Sequence, residues 1–345
     1  MEKTDKRGKI SRRVRLVDLA KRCEVSVSTV SRALAHEKGV RPEIRERVLE
    51  AAREYNYAMP GAVAGQKVII AASSAAMIDY VRNQFTAHVL EGVRERAAVL
   101  GLEVVTRPVS SADEERMLLE EALEDEAIAG LLFLTLDDEE MLAPTRDFAK
   151  PVVLVNGDDP FMRLSSVAPC NRAAAAMGTE YLRRLGHERI LFLMRRGRRT
   201  IERRFEGWRD AMGPDAELAE LVVEVDDWLP ELAAEAIAAR LDRQGLDFSA
   251  VLAAGDSLAV GAAMGLSSRG VAVPEAVSVM GMDDLPQAAF HTPPLTTIHI
   301  PMREIGAAAL DLLRDQMVGF SAPARRIELA CGLVERASVG RPAGA

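Results

Sequence analysis

Between residues 26 and 32 the chain reads Ser-Val-Ser-Thr-Val-Ser-Arg. Wound as a helix, the segment puts Val27, Ser28, Ser31 and Arg32 on one face. A small apolar group, hydroxyls that donate or accept, and a guanidinium are the chemistry that reads base edges in a DNA major groove. The opposite face is apolar, with Val30, Ala33 and Leu34, and Leu16, Leu19 and Ala20 repeat that spacing just upstream. Ser26 has the residue type of an N-cap, and Val25 is placed to plug the angle between the two segments. The pattern predicts two short helices joined by a tight turn.

These side chains need a scaffold. A third helix is expected from Pro42, a proline at a first helical position. It runs through Ile44, Val48, Leu49 and Ala52 toward Tyr55 and Tyr57, closing a three-helix core. The predicted division is a polar, disordered tail at 1–13, a headpiece at 14–57 and a linker at 58–67 marked by Pro60, Gly61 and Gly65. Charge follows the same division. The chain carries −8 overall, yet residues 1–60 carry +6 and the remainder −14. A basic head on an acidic body suits phosphate binding by the head alone.

From Val68 the pattern changes to short apolar runs at 68–72, 102–106, 130–134, 152–156, 190–194, 221–225, 250–254 and 277–280. Helical segments are predicted between them, near 84–100, 112–126, 138–149, 171–186, 203–212, 231–244 and 257–269. Continuous apolar runs indicate strands buried on both faces, hence parallel sheets. The irregular stretch at 156–170 interrupts the series, so the expected fold class is α/β, with two doubly wound sheets behind an all-α headpiece. Such sheets bind ligands beyond the carboxyl ends of their strands, in a cleft between the halves.

Composition removes other classes. No run of 18 apolar residues occurs, so no membrane span is expected. The first residues lack an apolar stretch, so no secretory signal is expected either, and the expected location is cytoplasmic. Cys23, Cys170 and Cys331 lie far apart, which argues against a disulfide framework and a zinc site and for reduced thiols. The five histidines are scattered without metal-ligand spacing. Neither a nucleophile elbow nor a phosphate-binding loop is present, so no enzyme, metal or cofactor is expected. His187, after Gly186, reads as a helix-end hydrogen-bonding residue.

Five segments carry a resemblance: residues 25–32, the Arg45-Glu46-Arg47-Val48 stretch with Tyr57, Leu185-Gly186-His187-Glu188-Arg189-Ile190, Gly281-Met282-Asp283-Asp284, and Pro293-Pro294-Leu295-Thr296-Thr297-Ile298. In this order the chain resembles the LacI/GalR family of bacterial transcription regulators, from about residue 15 to residue 338. The resemblance implies a helix-turn-helix headpiece, a hinge and a core like the periplasmic sugar-binding proteins. It implies three chain crossings, placing the N-subdomain at about 67–168 and 300–326 and the C-subdomain at about 169–299 and 327–340. It also implies a homodimer on a pseudo-palindromic operator. The implied function is a DNA-binding regulator, a repressor of carbohydrate-metabolism genes, whose operator affinity responds to a sugar or sugar derivative. The alternative is a small-molecule sensor with weakened DNA recognition.

By the same resemblance, Val27, Ser28 and Arg32 contact bases, while Ser26, Thr29 and Ser31 contact phosphates. Arg204 and Asp283 match effector-binding positions, and Trp228 falls where the family places an aromatic stacker. Asp256 is a further cleft candidate, with Met77, Tyr80 and Phe85 on the opposite wall. Trp208 and Trp228 are both expected near the cleft. The chain also departs from the family. Glu24 replaces the turn glycine, Cys170-Asn171 replaces Asp-Asn, and Gly255-Asp256 replaces Asn-Asp. The hinge is about four residues short and lacks the leucine that wedges the minor groove, leaving Met59 or Val63 as smaller substitutes.

Overall fold

The computed structural model describes residues 16–34, 39–54, 63–77, 80–136, 139–214, 218–318 and 323–342. Three helices open the chain: α1 (Leu16–Arg22), α2 (Val27–Leu34) and α3 (Pro42–Glu54). Leu19, Val30, Ala33, Val48 and Ala52 are completely buried among them. Val25 and Ile44 pack on that core, as their place in the sequence predicts.

Two six-stranded sheets form the rest. The first contains β1 (Lys67–Ser73), β2 (Glu103–Val109), β3 (Ile128–Leu134), β4 (Val152–Val155), β5 (Ser165–Pro169) and β11 (Arg326–Leu329), in the order β11-β5-β4-β3-β1-β2. All of its pairings are parallel. Its helices are α4 (Tyr80–Leu100), α5 (Ala112–Glu124), the single turn α6 (Glu139–Leu142) and α12 (Met302–Met317), which packs on α4.

The second sheet contains β6 (Ile190–Met194), β7 (Val222–Glu224), β8 (Ala250–Ala253), β9 (Ser278–Asp283), β10 (Thr296–His299) and β12 (Gly332–Val334), in the order β12-β10-β9-β8-β6-β7. Only β12 runs antiparallel to its neighbour. With it go α7 (Asn171–Arg184), α8 (Arg199–Met212), α9 (Pro230–Gln244), α10 (Asp256–Ser267) and α11 (Pro286–Phe290). The fully buried runs of β1, β3, β6 and β8 are those whose unbroken apolar character indicates a parallel sheet.

Several expectations need correction. The predicted helix at 138–149 stops at Leu142, because Pro144 lacks the amide that would continue it. The irregular stretch at 156–170 contains β5, whose two serines and terminal proline hide it from an apolar-run criterion. Strand β11 pairs with β5, so the third crossing lies at 330–331 rather than at 326/327. Val63 is 2% exposed and packs in the core of the first subdomain, so it is no free wedge for a minor groove. Met59 and Tyr57 lie outside the described residues.

Candidate DNA-binding and effector sites

The turn between α1 and α2 is tight. Cys23 and Val25 donate backbone hydrogen bonds to Leu19 and Ala20, at 2.9 and 3.1 Å. Closing it puts Glu24 at φ 52°, the left-handed region a glycine would occupy without cost. Ser26 caps α2: its Oγ accepts from the Thr29 backbone N–H at 3.1 Å. The same hydroxyl lies 2.8 Å from Ser28 Oγ and from Thr29 Oγ1, so three hydroxyls cluster at the helix start. Val27, Ser28, Ser31 and Arg32 are exposed, while the opposite face is buried. The headpiece thus presents one polar, cationic helix face outward, with its N-terminus open to an anion.

The second site is built by helix packing. A Cβ on Gly207 would lie 2.0 Å from the Arg172 carbonyl oxygen, so the glycine is what lets α8 close on α7. One turn earlier on α8, Arg204 is 4% exposed. Its Nε donates to Asn171 Oδ1 at 2.8 Å, and its Nη1 donates to the Ala254 carbonyl. Nη1 also reaches Asp283 Oδ1 at 3.4 Å, leaving the other carboxylate oxygen toward Gly255 and Trp228. A Cβ on Gly255 would sit 3.1 Å from the Trp228 ring and 3.3 Å from Asp283 Oδ2. Arg204, Asp283 and Trp228, from three separate elements, therefore form one group at the carboxyl ends of β8 and β9.

Backbone strain collects at the carboxyl ends of β3, β4 and β9. Thr135, Asn156, Asp283 and Asp284 all have positive φ, at 62°, 53°, 135° and 58°. Non-glycine residues in such conformations are characteristic of binding sites, where the surrounding structure must hold them. Asp284 is held by Arg336 at 2.7 Å and His299 at 3.1 Å.

The remaining candidates divide. Asp256 is completely buried and faces the interior of its own subdomain. It accepts from Thr297 Oγ1 at 2.6 Å and from the Leu285 backbone at 2.8 Å, so both oxygens are engaged. Burial, and secondarily the charge on Asp283, push its carboxyl up to about 7. Burial raises Asp283 as well, against the pull of Arg204. Met77 and Phe85 are half-buried in the apolar cluster of the first subdomain, which also takes in Leu285, two residues beyond Asp283. Tyr80 begins α4, and its side chain lies outside the described residues. Trp208 is completely buried, stacked 5.5 Å from Phe192 and 5.7 Å from Phe205, so only Trp228 of the two indoles belongs to the cleft. His187 links Ser249 Oγ at 2.9 Å and the Gly340 carbonyl at 3.0 Å, and burial lowers its pKa. Its side chain anchors the C-terminal segment, while its backbone N–H donates to the Leu182 carbonyl at 3.2 Å and closes the end of α7, as the helix-end reading expects.

Sequence reasoning missed the contacts that join the two subdomains. Arg198 donates to the Asn156 carbonyl. Asp158 meets Arg199 at 2.5 Å and Arg203 at 3.8 Å across the gap, and Arg326 of β11 at 3.1 Å. The available signal was the run Arg195-Arg196-Gly197-Arg198-Arg199, repeated as Arg203-Arg204. Beside these contacts, Asn156 Oδ1 and Thr200 Oγ1 are buried with no hydrogen-bond partner among the described residues. Such unused capacity at a cleft is available to a ligand or water.

Residues 15–59 match the family model for bacterial regulatory proteins of the lacI family, and residues 179–339 match the periplasmic binding protein-like domain. The HTH-type transcriptional regulator MalR of Streptomyces coelicolor is 30% identical over 341 residues, covering 96% of this chain and 98% of that protein. Among solved structures, the transcriptional regulator CelR–cellobiose complex is 28% identical with a TM-score of 0.71, covering 94% of this chain and all of the other. The lac repressor dimer bound to operator and an anti-inducer is 25% identical with a TM-score of 0.68, covering 95% of this chain and all of that one. With a helix-turn-helix head, two wound sheets and a polar group between them, and with this similarity along nearly its whole length, the chain belongs to the lacI family of bacterial regulatory proteins.

Proposed function

We propose that the protein is a homodimeric, cytoplasmic repressor of carbohydrate-metabolism genes, and not an enzyme. Its operator affinity is set by a sugar or sugar derivative bound between the core subdomains. The observation that carries this reading is the Arg204–Asp283–Trp228 group. A guanidinium and a carboxylate bind hydroxyls through charge-assisted hydrogen bonds, and an indole covers the apolar face of a sugar ring. The group shares a chain with the exposed polar face of α2. In this reading Val27, Ser28 and Arg32 read bases, Ser26, Thr29 and Ser31 hold phosphates, and residues 58–62 are the linker.

The test is a gel shift on promoter DNA from the chain's own operon, with and without candidate sugars. Arg204→Ala and Asp283→Ala should keep operator affinity and lose the response to sugar. Loss of DNA binding by both variants with their fold intact would refute the assignment of the cleft. Absence of specific DNA binding by the unaltered protein would favour a sensor with weakened DNA recognition.

A further inference from the structure

Cys170 and Cys331 are far apart in sequence, yet they meet where the chain passes between the subdomains. Strands β5 and β11 run side by side with Pro169 opposite Leu329, and both then leave the first sheet for the second. Cys170 follows β5 and precedes α7, and Cys331 lies between β11 and β12. The two residues converge on one atom. The Cys170 backbone N–H donates to the Leu329 carbonyl oxygen at 2.9 Å, and the Cys331 thiol approaches that oxygen at 3.8 Å. The two thiols are near enough that Cys170 raises the pKa of Cys331. Both residues are half-exposed, whereas Cys23 is buried in the headpiece.

We propose that Cys170 and Cys331 are an oxidation site: a vicinal thiol pair that closes to a disulfide and ties together two of the three strands forming the inter-subdomain hinge. Hydrogen peroxide supplies the oxidant. Attack by the Cys170 sulfur breaks the O–O bond, giving a sulfenic acid and one water. Attack by the Cys331 sulfur on that sulfenic acid forms the S–S bond, and its hydroxyl leaves with the Cys331 proton as a second water. Two thiols are oxidised and one peroxide is reduced. Burial, with Cys170 beside it, pushes the Cys331 thiol up to about 12, so almost none of it is thiolate and Cys331 is not the sulfur that meets the peroxide first. In a reducing compartment the pair stays as thiols until oxidant rises.

The position gives the bond a consequence. Cys170 adjoins Asn171, whose side chain holds Arg204. Cys331 packs on the apolar clusters of both subdomains. A disulfide here restrains the relative motion of the subdomains at the root of the cleft.

The full chain is treated with hydrogen peroxide and digested without reduction, with Cys23→Ser, Cys170→Ser and Cys331→Ser in parallel. The expected product is one intramolecular 170–331 peptide link, reversed by dithiothreitol, formed equally in Cys23→Ser and absent from the other two variants. Backbone amides at 166–172 and 326–333 should exchange with deuterium roughly fivefold slower or more in the oxidised chain. Overoxidation of Cys170 without a link, links between chains, or links through Cys23 would overturn the site. An intramolecular link with unchanged exchange at the crossings would overturn the hinge restraint.

Discussion

Asp256 and Asp283 show how two nearby carboxylates take different roles through their surroundings. Asp283 faces a guanidinium and the cleft, and Asp256 faces a threonine hydroxyl and an amide in the interior. Because the folded chain holds the Asp256 proton to about pH 7, above the ordinary value of 3.8, ionisation of this group works against folding. Its penalty is absent well below pH 3.8, grows as pH rises from there toward 7, and is constant above that. Asp256→Asn, which keeps an acceptor for the Leu285 amide, removes that dependence. Urea unfolding at pH 5 and pH 8 should show the variant gaining stability relative to the parent at the higher pH. An identical difference at both values would contradict this. The sequence singled out Asp256 by its place after a strand, but which way the carboxylate points depends on Thr297, a residue of another strand.

At the scale of elements, the turn between α1 and α2 and the packing of α8 on α7 position the two sites. Glu24 holds a left-handed conformation costing roughly 1–2 kcal/mol for a residue with a Cβ. Glu24→Gly relieves that strain but loosens the unfolded chain by about 0.4–1 kcal/mol. The net expectation is a gain of about 0.5–1 kcal/mol in headpiece stability, measured by thermal unfolding. A loss would mean that the Glu24 side chain contributes more than its backbone costs. Both the turn and the helix start at Ser26 were legible, because caps and local apolar spacing are short-range features. Strands β5, β10, β11 and β12 were not, because each is only three to five residues long and carries polar residues or a glycine that interrupt an apolar run.

For the whole molecule, the ion pairs of Asp158 with Arg199 and Arg203 join the subdomains across the cleft. The arginine side chains are about one-third exposed, so the contribution falls within ~1 kcal/mol. Asp158→Asn should therefore shift the balance toward the open form by up to about fivefold, seen as a larger radius of gyration in solution scattering. An unchanged radius would assign the pairs a local role. The connection to the headpiece carries its own expectation. Val63 is committed to the core, so the apolar side chain nearest the linker is not available to kink DNA. Circular-permutation assays should show a weaker operator bend than that given by relatives with a hinge leucine. A sharp central kink abolished by Val63→Ala would contradict this.

The sequence by itself determined the helix-turn-helix, its exposed face, the α/β class and the family, because each depends on periodicity or on motifs contiguous in the chain. It also identified Arg204, Asp283 and Trp228 as residues, through resemblance. Only the tertiary structure decided which of the candidates meet. It joined Arg204 to Asp283, turned Asp256 and Trp208 into the core, drew Val63 out of the linker, and brought Cys170 against Cys331. Those outcomes depend on strand order and on close approach between distant segments, which no local pattern encodes.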